Sequence, residues 1–117
     1  MQDDTVYRSM LFDFFGELLT RKQRECFDLH YNEDYSLAEI AEECKISRQA
    51  VWDNIRRAEE TLREFESKTG IIKRFYTQKE QIAEIRADVI ELASKCSNDE
   101  LKHELSDISR RLSGIVS

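Results

Sequence analysis

The stretch Ser36-Leu-Ala-Glu-Ile-Ala-Glu-Glu-Cys-Lys-Ile-Ser-Arg-Gln-Ala-Val-Trp-Asp-Asn-Ile-Arg-Arg57 has the pattern of a helix-turn-helix, and it governs the reading of the whole chain. Ser36 can accept a hydrogen bond from the first turn of a helix while Glu39, three residues on, reaches back to the Ser36 amide, the reciprocal capping box. Leu37, Ile40, Ala41 and Cys44 recur at spacings of three and four and form one apolar stripe. Lys45-Ile46 makes the turn, at a place where a glycine would more easily take up a left-handed backbone. Ser47 caps the second helix, whose Val51, Ile55, Ala58 and Leu62 form the matching stripe. Arg48, Gln49, Trp52, Asp53, Arg56 and Arg57 are then candidates to face a ligand, because the first turns of such a helix are where the motif offers side chains to a nucleic-acid groove.

Toward the N-terminus the signature repeats. Leu19-Thr-Arg-Lys-Gln-Arg-Glu-Cys-Phe-Asp-Leu-His-Tyr31 carries a second capping box, Thr20 with Gln23, followed by Cys26, Phe27, Leu29 and Tyr31 around an apolar face. It is the expected supporting helix of a three-helix head, and Arg21, Lys22 and Arg24 make a second basic cluster at its start. Residues 5–18 place Val6, Tyr7, Met10, Leu11, Phe14, Phe15 and Leu18 on one side of a further helix, capped by Asp3 or Asp4 and expected to close the core of the head. Helices are thus predicted over 5–18, 21–31, 37–44 and 48–67, with Gly70 as the stop. Beyond it Phe75, Ile82, Ile85, Val89, Leu92 and Cys96 form one heptad-like seam, Ser97-Asn-Asp-Glu100 a turn with a capping box, and Leu101, Leu105, Ile108, Leu112 and Ile115 a second seam. The expected division is 1–69 for the head and 70–117 for a C-terminal helical hairpin or extended helix pair that dimerises or packs.

Leu19 to Leu62 resembles region 4 of bacterial sigma factors, within the winged-helix-like class of heads. Met10-Leu-Phe-Asp-Phe14, Leu18-Leu-Thr20, Asp34-Tyr-Ser-Leu37, Glu39-Ile-Ala41 and Ser47-Arg-Gln-Ala-Val51 followed by Asp53-Asn-Ile-Arg56 are similar to the YlxM family (UPF0122 type). These are small helix-turn-helix proteins associated with the bacterial signal recognition particle. The likeness is close over roughly residues 7–76 and general beyond them. It implies association with particle components, its RNA or its GTPase, and modulation of protein targeting. Transcriptional control through DNA, and use of the motif purely as a protein-docking scaffold, are the other two functions to be weighed.

Composition points the same way. The 117 residues contain no proline, three glycines and 36% charged residues, which favours an all-α protein. At 40% apolar residues they can fill a modest core. No apolar run approaches the length of a membrane span, and Met1-Gln-Asp-Asp4 is acidic rather than the basic start of a signal peptide, so a cytoplasmic protein is expected. Cys26, Cys44 and Cys96 are odd in number and fall on apolar stripes, as reduced, buried thiols would.

The net charge is −6 and no block is basic: residues 20–68 hold nine bases against twelve acids. Nucleic-acid affinity comes largely from Lys and Arg neutralising phosphates, so such a head starts with a long-range penalty. Local charge can offset it, since Arg48 to Arg57 contains three arginines against Asp53 alone. Trp52 could stack on a base, fill a partner pocket or pack on a neighbouring helix. Cys26 and His30 have a spacing that can bind a metal, but without a further pair they read as packing, and His103 as a surface residue. No phosphate loop or nucleophile spacing is present, so neither catalysis, cofactor nor metal is expected.

Overall fold

The computed structural model of the chain describes residues 4–116. They form α1 (Asp4–Phe15), a 3₁₀ turn (Gly16–Leu18), α2 (Arg21–Tyr31), α3 (Leu37–Cys44), α4 (Arg48–Thr69), α5 (Ile71–Lys95) and α6 (Asp99–Val116). The protein is all-α. Among the described residues there is no strand, so the head carries no β-wing. Two compact units divide the chain, the first ending at Ile72 and the second beginning at Lys73.

In the first unit α1, α2 and α3 all pack on α4. The reason is the α4 stripe: Val51, Ile55, Ala58 and Leu62, spaced by four, three and four, are all buried. Val51 and Ile55 meet Cys26 of α2 and Ile40 of α3 in one cluster, each apolar side chain contributing about 1.5–3 kcal/mol by leaving water. Aromatic rings close the other side. Phe12 stacks on Phe27 at 5.4 Å and Phe15 on Phe65 at 5.9 Å between centroids.

The first helix differs from expectation. Its α-form ends at Phe15, and Val6, Phe14 and Leu18 are 53%, 37% and 61% exposed, whereas Leu19 is 8% exposed. The 3₁₀ turn holds three residues per turn rather than 3.6, which rotates the apolar face so that Leu19 takes the inward place foreseen for Leu18. Gly16 leaves room there for the Phe12 ring, from which a Cβ would stand 3.2 Å, close enough that the ring would have to shift by a few tenths of an ångström. Asp4 already lies inside the first turn, and Asp3 is outside the described residues.

The helix starts follow local chemistry. Thr20 Oγ1 accepts from the Gln23 amide (3.2 Å) and Gln23 Oε1 from the Thr20 amide (3.3 Å). Ser36 and Glu39 make the same exchange at 3.1 and 3.0 Å. Ser47 Oγ accepts from the Ala50 amide at 3.0 Å, with no reciprocal arm because residue 50 is alanine. Lys45 adopts the left-handed conformation, φ 58°, ψ 44°, without the help of glycine. Its amide and that of Ile46 both donate to the Ala41 carbonyl. α4 runs two residues further than predicted and stops at Gly70, φ 63°; the Ile72 amide is received by Glu66 Oε1 at 2.9 Å.

In the second unit α5 and α6 are separated by residues 96–98, and Leu92, Cys96, Leu101, Leu105 and Ile108 line an apolar groove beside that turn. The cap of α6 is Asn98 rather than Ser97. Its side-chain oxygen accepts from the Glu100 and Leu101 amides at 2.9 and 3.1 Å, the bonds an N-cap makes to the second and third residues of its helix. Ala93 and Ser109 are the buried residues among those described in this unit, and Phe75, Ile85, Leu92, Leu101, Ile108 and Ile115 of the two seams are exposed.

The cysteines are free, but only Cys26 is buried; Cys44 and Cys96 are half-buried, because each sits at the last turn of a helix or just past it. Burial first, and then the contact of its Sγ with Glu25 Oε1 at 3.5 Å, pushes the Cys44 thiol up to about 11.

Candidate nucleic-acid interface

At the start of α4, the Ser47 hydroxyl takes the Ala50 amide and leaves the Arg48 and Gln49 side chains in solvent. Gln49 Nε2 donates to Asp53 Oδ1 at 3.2 Å, and Arg56 lies 3.9 Å from Asp53 and 3.3 Å from Glu60. These residues sit four or three apart, so helical spacing alone brings them onto one face. Arg48 and Arg57 are exposed and make no ion pair or hydrogen bond through their side chains among the described residues. Arg21, Lys22 and Arg24 are likewise exposed at the start of α2, and no bond among the described residues links them to α4.

Neither α2 nor α4 has an acid in its first turn. That is unusual in a chain of net charge −6, since the positive end of the helix dipole favours acids there and disfavours cations by about 0.3–1 kcal/mol each. Cations gathered beside unbonded backbone amides form an electrostatic setting for an anion rather than for helix stability. α3 is the opposite. Glu39, Glu42 and Glu43 are exposed and the helix contains no base; the Ser36 amide and then its hydroxyl hold the Glu39 carboxyl below the usual range. Positive charge is therefore gathered at the starts of α2 and α4 and negative charge along α3.

Further along α4 the half-exposed Trp52 (44%) walls a groove of about 250 Å³ with Arg8, Tyr31, Arg56, Glu59, Glu60 and Arg63. Glu59 is clamped from both sides, by Arg8 Nε at 2.6 Å and Arg63 Nε at 3.2 Å. The Arg8 guanidinium lies over the Tyr31 ring at 4.9 Å and that of Arg63 over Tyr7 at 5.2 Å. Its bond to Glu59 raises the Arg8 pKa further. Sequence reasoning did not single out Arg8, Tyr31, Glu59 or Arg63 for this role. Arg8 alone carried a signal, as the one base in the first nineteen residues. His30 Nδ1 is 2.9 Å from the Tyr35 carbonyl, and no group of three or more potential metal ligands occurs among the described residues.

The sequence model of one protein family, "Putative helix-turn-helix protein, YlxM / p13 like" (UPF0122), matches residues 2–104. A UPF0122 protein of Thermoanaerobacter sp. (strain X514) is 38% identical over 112 residues, 96% of either chain. One from Acetivibrio thermocellus is 41% identical over 114 residues, 97% of either chain. A third, from Listeria welshimeri, is 44% identical over 89 residues, 76% of this chain and 81% of its own. No helix among the described residues is long and apolar enough to cross a membrane.

Proposed function

Because the chain belongs to the UPF0122 family of YlxM / p13-like helix-turn-helix proteins, we propose that it is a cytoplasmic regulatory protein of the signal recognition particle pathway that binds the particle's RNA. The observation that supports this reading is the placement of Arg21, Lys22, Arg24 and Arg48 at two hydroxyl-capped helix starts free of acids, in an otherwise acidic chain. Arg48 offers a guanidinium fork to a phosphate or a guanine edge, and Gln49, once released from Asp53, a donor–acceptor pair suited to adenine. Trp52, Asp53, Arg56 and Arg57 extend the same surface. The carboxylates of α3, the helix that in this motif crosses the duplex backbone, count against docking on an operator in the usual orientation. The exposed seams of α5 and α6 support a homodimer through the C-terminal helices.

A second reading has the head dock on the particle's GTPase, and the same α3 carboxylates favour it, since they suit a basic protein surface. The deciding measurement is anisotropy titration of labelled particle RNA, random duplex DNA and the GTPase at one fixed, near-physiological salt. Arg48→Ala is expected to weaken RNA binding by about 1–3 kcal/mol with the helical signal intact. RNA held no tighter than random duplex, or unaffected by Arg48→Ala, would refute the reading.

A further inference from the structure

We propose that the groove beside Trp52 is a pocket for one unpaired nucleobase, so that the protein selects looped or single-stranded RNA over a closed duplex. This rests on the nucleic-acid reading above and names the form of ligand that the α4 face takes.

Arg48, Trp52 and Arg56 succeed one another at intervals of four on α4 and therefore share one stripe, about 12 Å long at 1.5 Å per residue. The stripe is basic, aromatic, basic. That alternation is the one single-strand binders use, cations tracking phosphates and a ring receiving a base. In a duplex each base is covered on both faces by its neighbours and presents only its edges, so a ring on a helix surface has nothing to stack on until a base is turned out. Trp52 is such a ring, with nearly half of its surface in solvent.

The groove is also prepared for a flat guest. Glu59 is held by both Arg8 and Arg63, and the Arg8 guanidinium packs over the Tyr31 ring, so these lining groups are fixed before a guest arrives; three arginines stand against Glu59 and Glu60 in the lining. Its volume of about 250 Å³ lies below the roughly 300–1,000 Å³ usual for drug-sized ligands, which suits one base better than a larger group. Arg56 is bound to Glu60 by an exposed ion pair within one helix, and such pairs are weak. It can turn to the phosphate of the bound nucleotide without disturbing the core.

Trp52 is the single tryptophan of the chain, so its emission reports on this groove alone. The test titrates three RNAs, a hairpin with an unpaired loop, the same hairpin with abasic loop positions, and a blunt duplex of the same stem, reading anisotropy and Trp52 emission together. The intact hairpin is expected to quench emission in step with binding, and the other two to leave it unchanged. Trp52→Ala should weaken the intact hairpin by on the order of tenfold or more and leave the duplex unaffected, whereas Trp52→Phe keeps most of the affinity. Binding of the hairpin that depends on Arg48 but is silent at Trp52 and indifferent to Trp52→Ala would overturn the pocket while leaving the nucleic-acid reading intact. Quenching by the duplex, or by the particle GTPase and not by RNA, would overturn it too. Failure of all three RNAs to bind removes the reading on which the pocket rests.

Discussion

Replacing Lys45 by glycine should make this protein more stable, although it removes a side chain and adds none. Lys45 holds φ 58°, ψ 44° at the turn between α3 and α4. A residue with a Cβ carries about 1–2 kcal/mol of strain in that region. Glycine is free of the strain but has more freedom to lose on folding, about 0.4–1 kcal/mol. The difference leaves Lys45→Gly about 0.5–1 kcal/mol more stable. Lys45 is exposed, its side chain makes no ion pair or hydrogen bond among the described residues, and its amide still donates to the Ala41 carbonyl; the favourable placement of its charge at the C-terminal end of α3 is lost equally in the alanine control, against which the gain is read. For a chain of this size the midpoint should rise by about 2–6 °C in thermal denaturation followed by circular dichroism. Lys45→Ala is the control: it removes the same charge yet keeps the strained backbone, so it should gain nothing and the predicted gain is the difference between the glycine and alanine variants. If the glycine and alanine variants melt together, the left-handed turn is not where the strain resides and the reasoning fails.

Val51→Ala should destabilise the chain by about 1–3 kcal/mol, since Val51 is fully buried against Cys26, Ile40 and Ile55; an unmoved urea midpoint would show that α2, α3 and α4 do not share that core. The folded chain holds the Cys44 proton up to about 11, above the ordinary 9.0, so its contribution is complete below pH 9.0 and lost as pH rises toward about 11. The urea midpoint should therefore fall over that interval and fall less in Cys44→Ala; equal slopes in the two proteins would refute the assignment. A dimer formed through the seams of α5 and α6 should sediment at twice the chain mass of 13.9 kDa, and a monomer across micromolar concentrations would exclude it.

The starts of α2, α3 and α4 could be read residue by residue because capping is a conversation between positions three apart, which a linear sequence displays. The inward stripe of α4 was equally open, being a matter of period. The turn after Phe15 was not. It depends on the Phe12 ring lying over Gly16 and stacking on Phe27, a contact across fifteen residues that no local pattern announces. Asn98 displaced Ser97 as a cap although both were in view, since the two compete and only the geometry of the turn selects between them. For the site, Arg48, Gln49, Trp52 and the basic start of α2 were visible as residue types. That Arg8 would reach Glu59, fifty-one positions away, and turn Trp52 from a surface aromatic into the wall of a groove, required α1 to be packed on α4.

The three capping partners of the head are not alike. Ser36 is answered by an acid, Glu39, whereas Thr20 is answered by the neutral Gln23 and Ser47 by Ala50, which has no arm to offer. Gln23→Glu would keep a complete box and add the favourable interaction of an anion with a helix start, about 0.3–1 kcal/mol, and an acid at position 50 would close the open box at Ser47. The first change exchanges a single atom group, and the second gives Ser47 the same kind of partner that Ser36 has in Glu39. The head thus forgoes robustness at the two helix starts that carry Arg21, Lys22, Arg24 and Arg48, and takes it where no cation stands. Screening for thermal stability alone would select these substitutions early, and each would return a hardier protein with a less attractive face for phosphate, a trade-off between durability and recognition confined to two side chains.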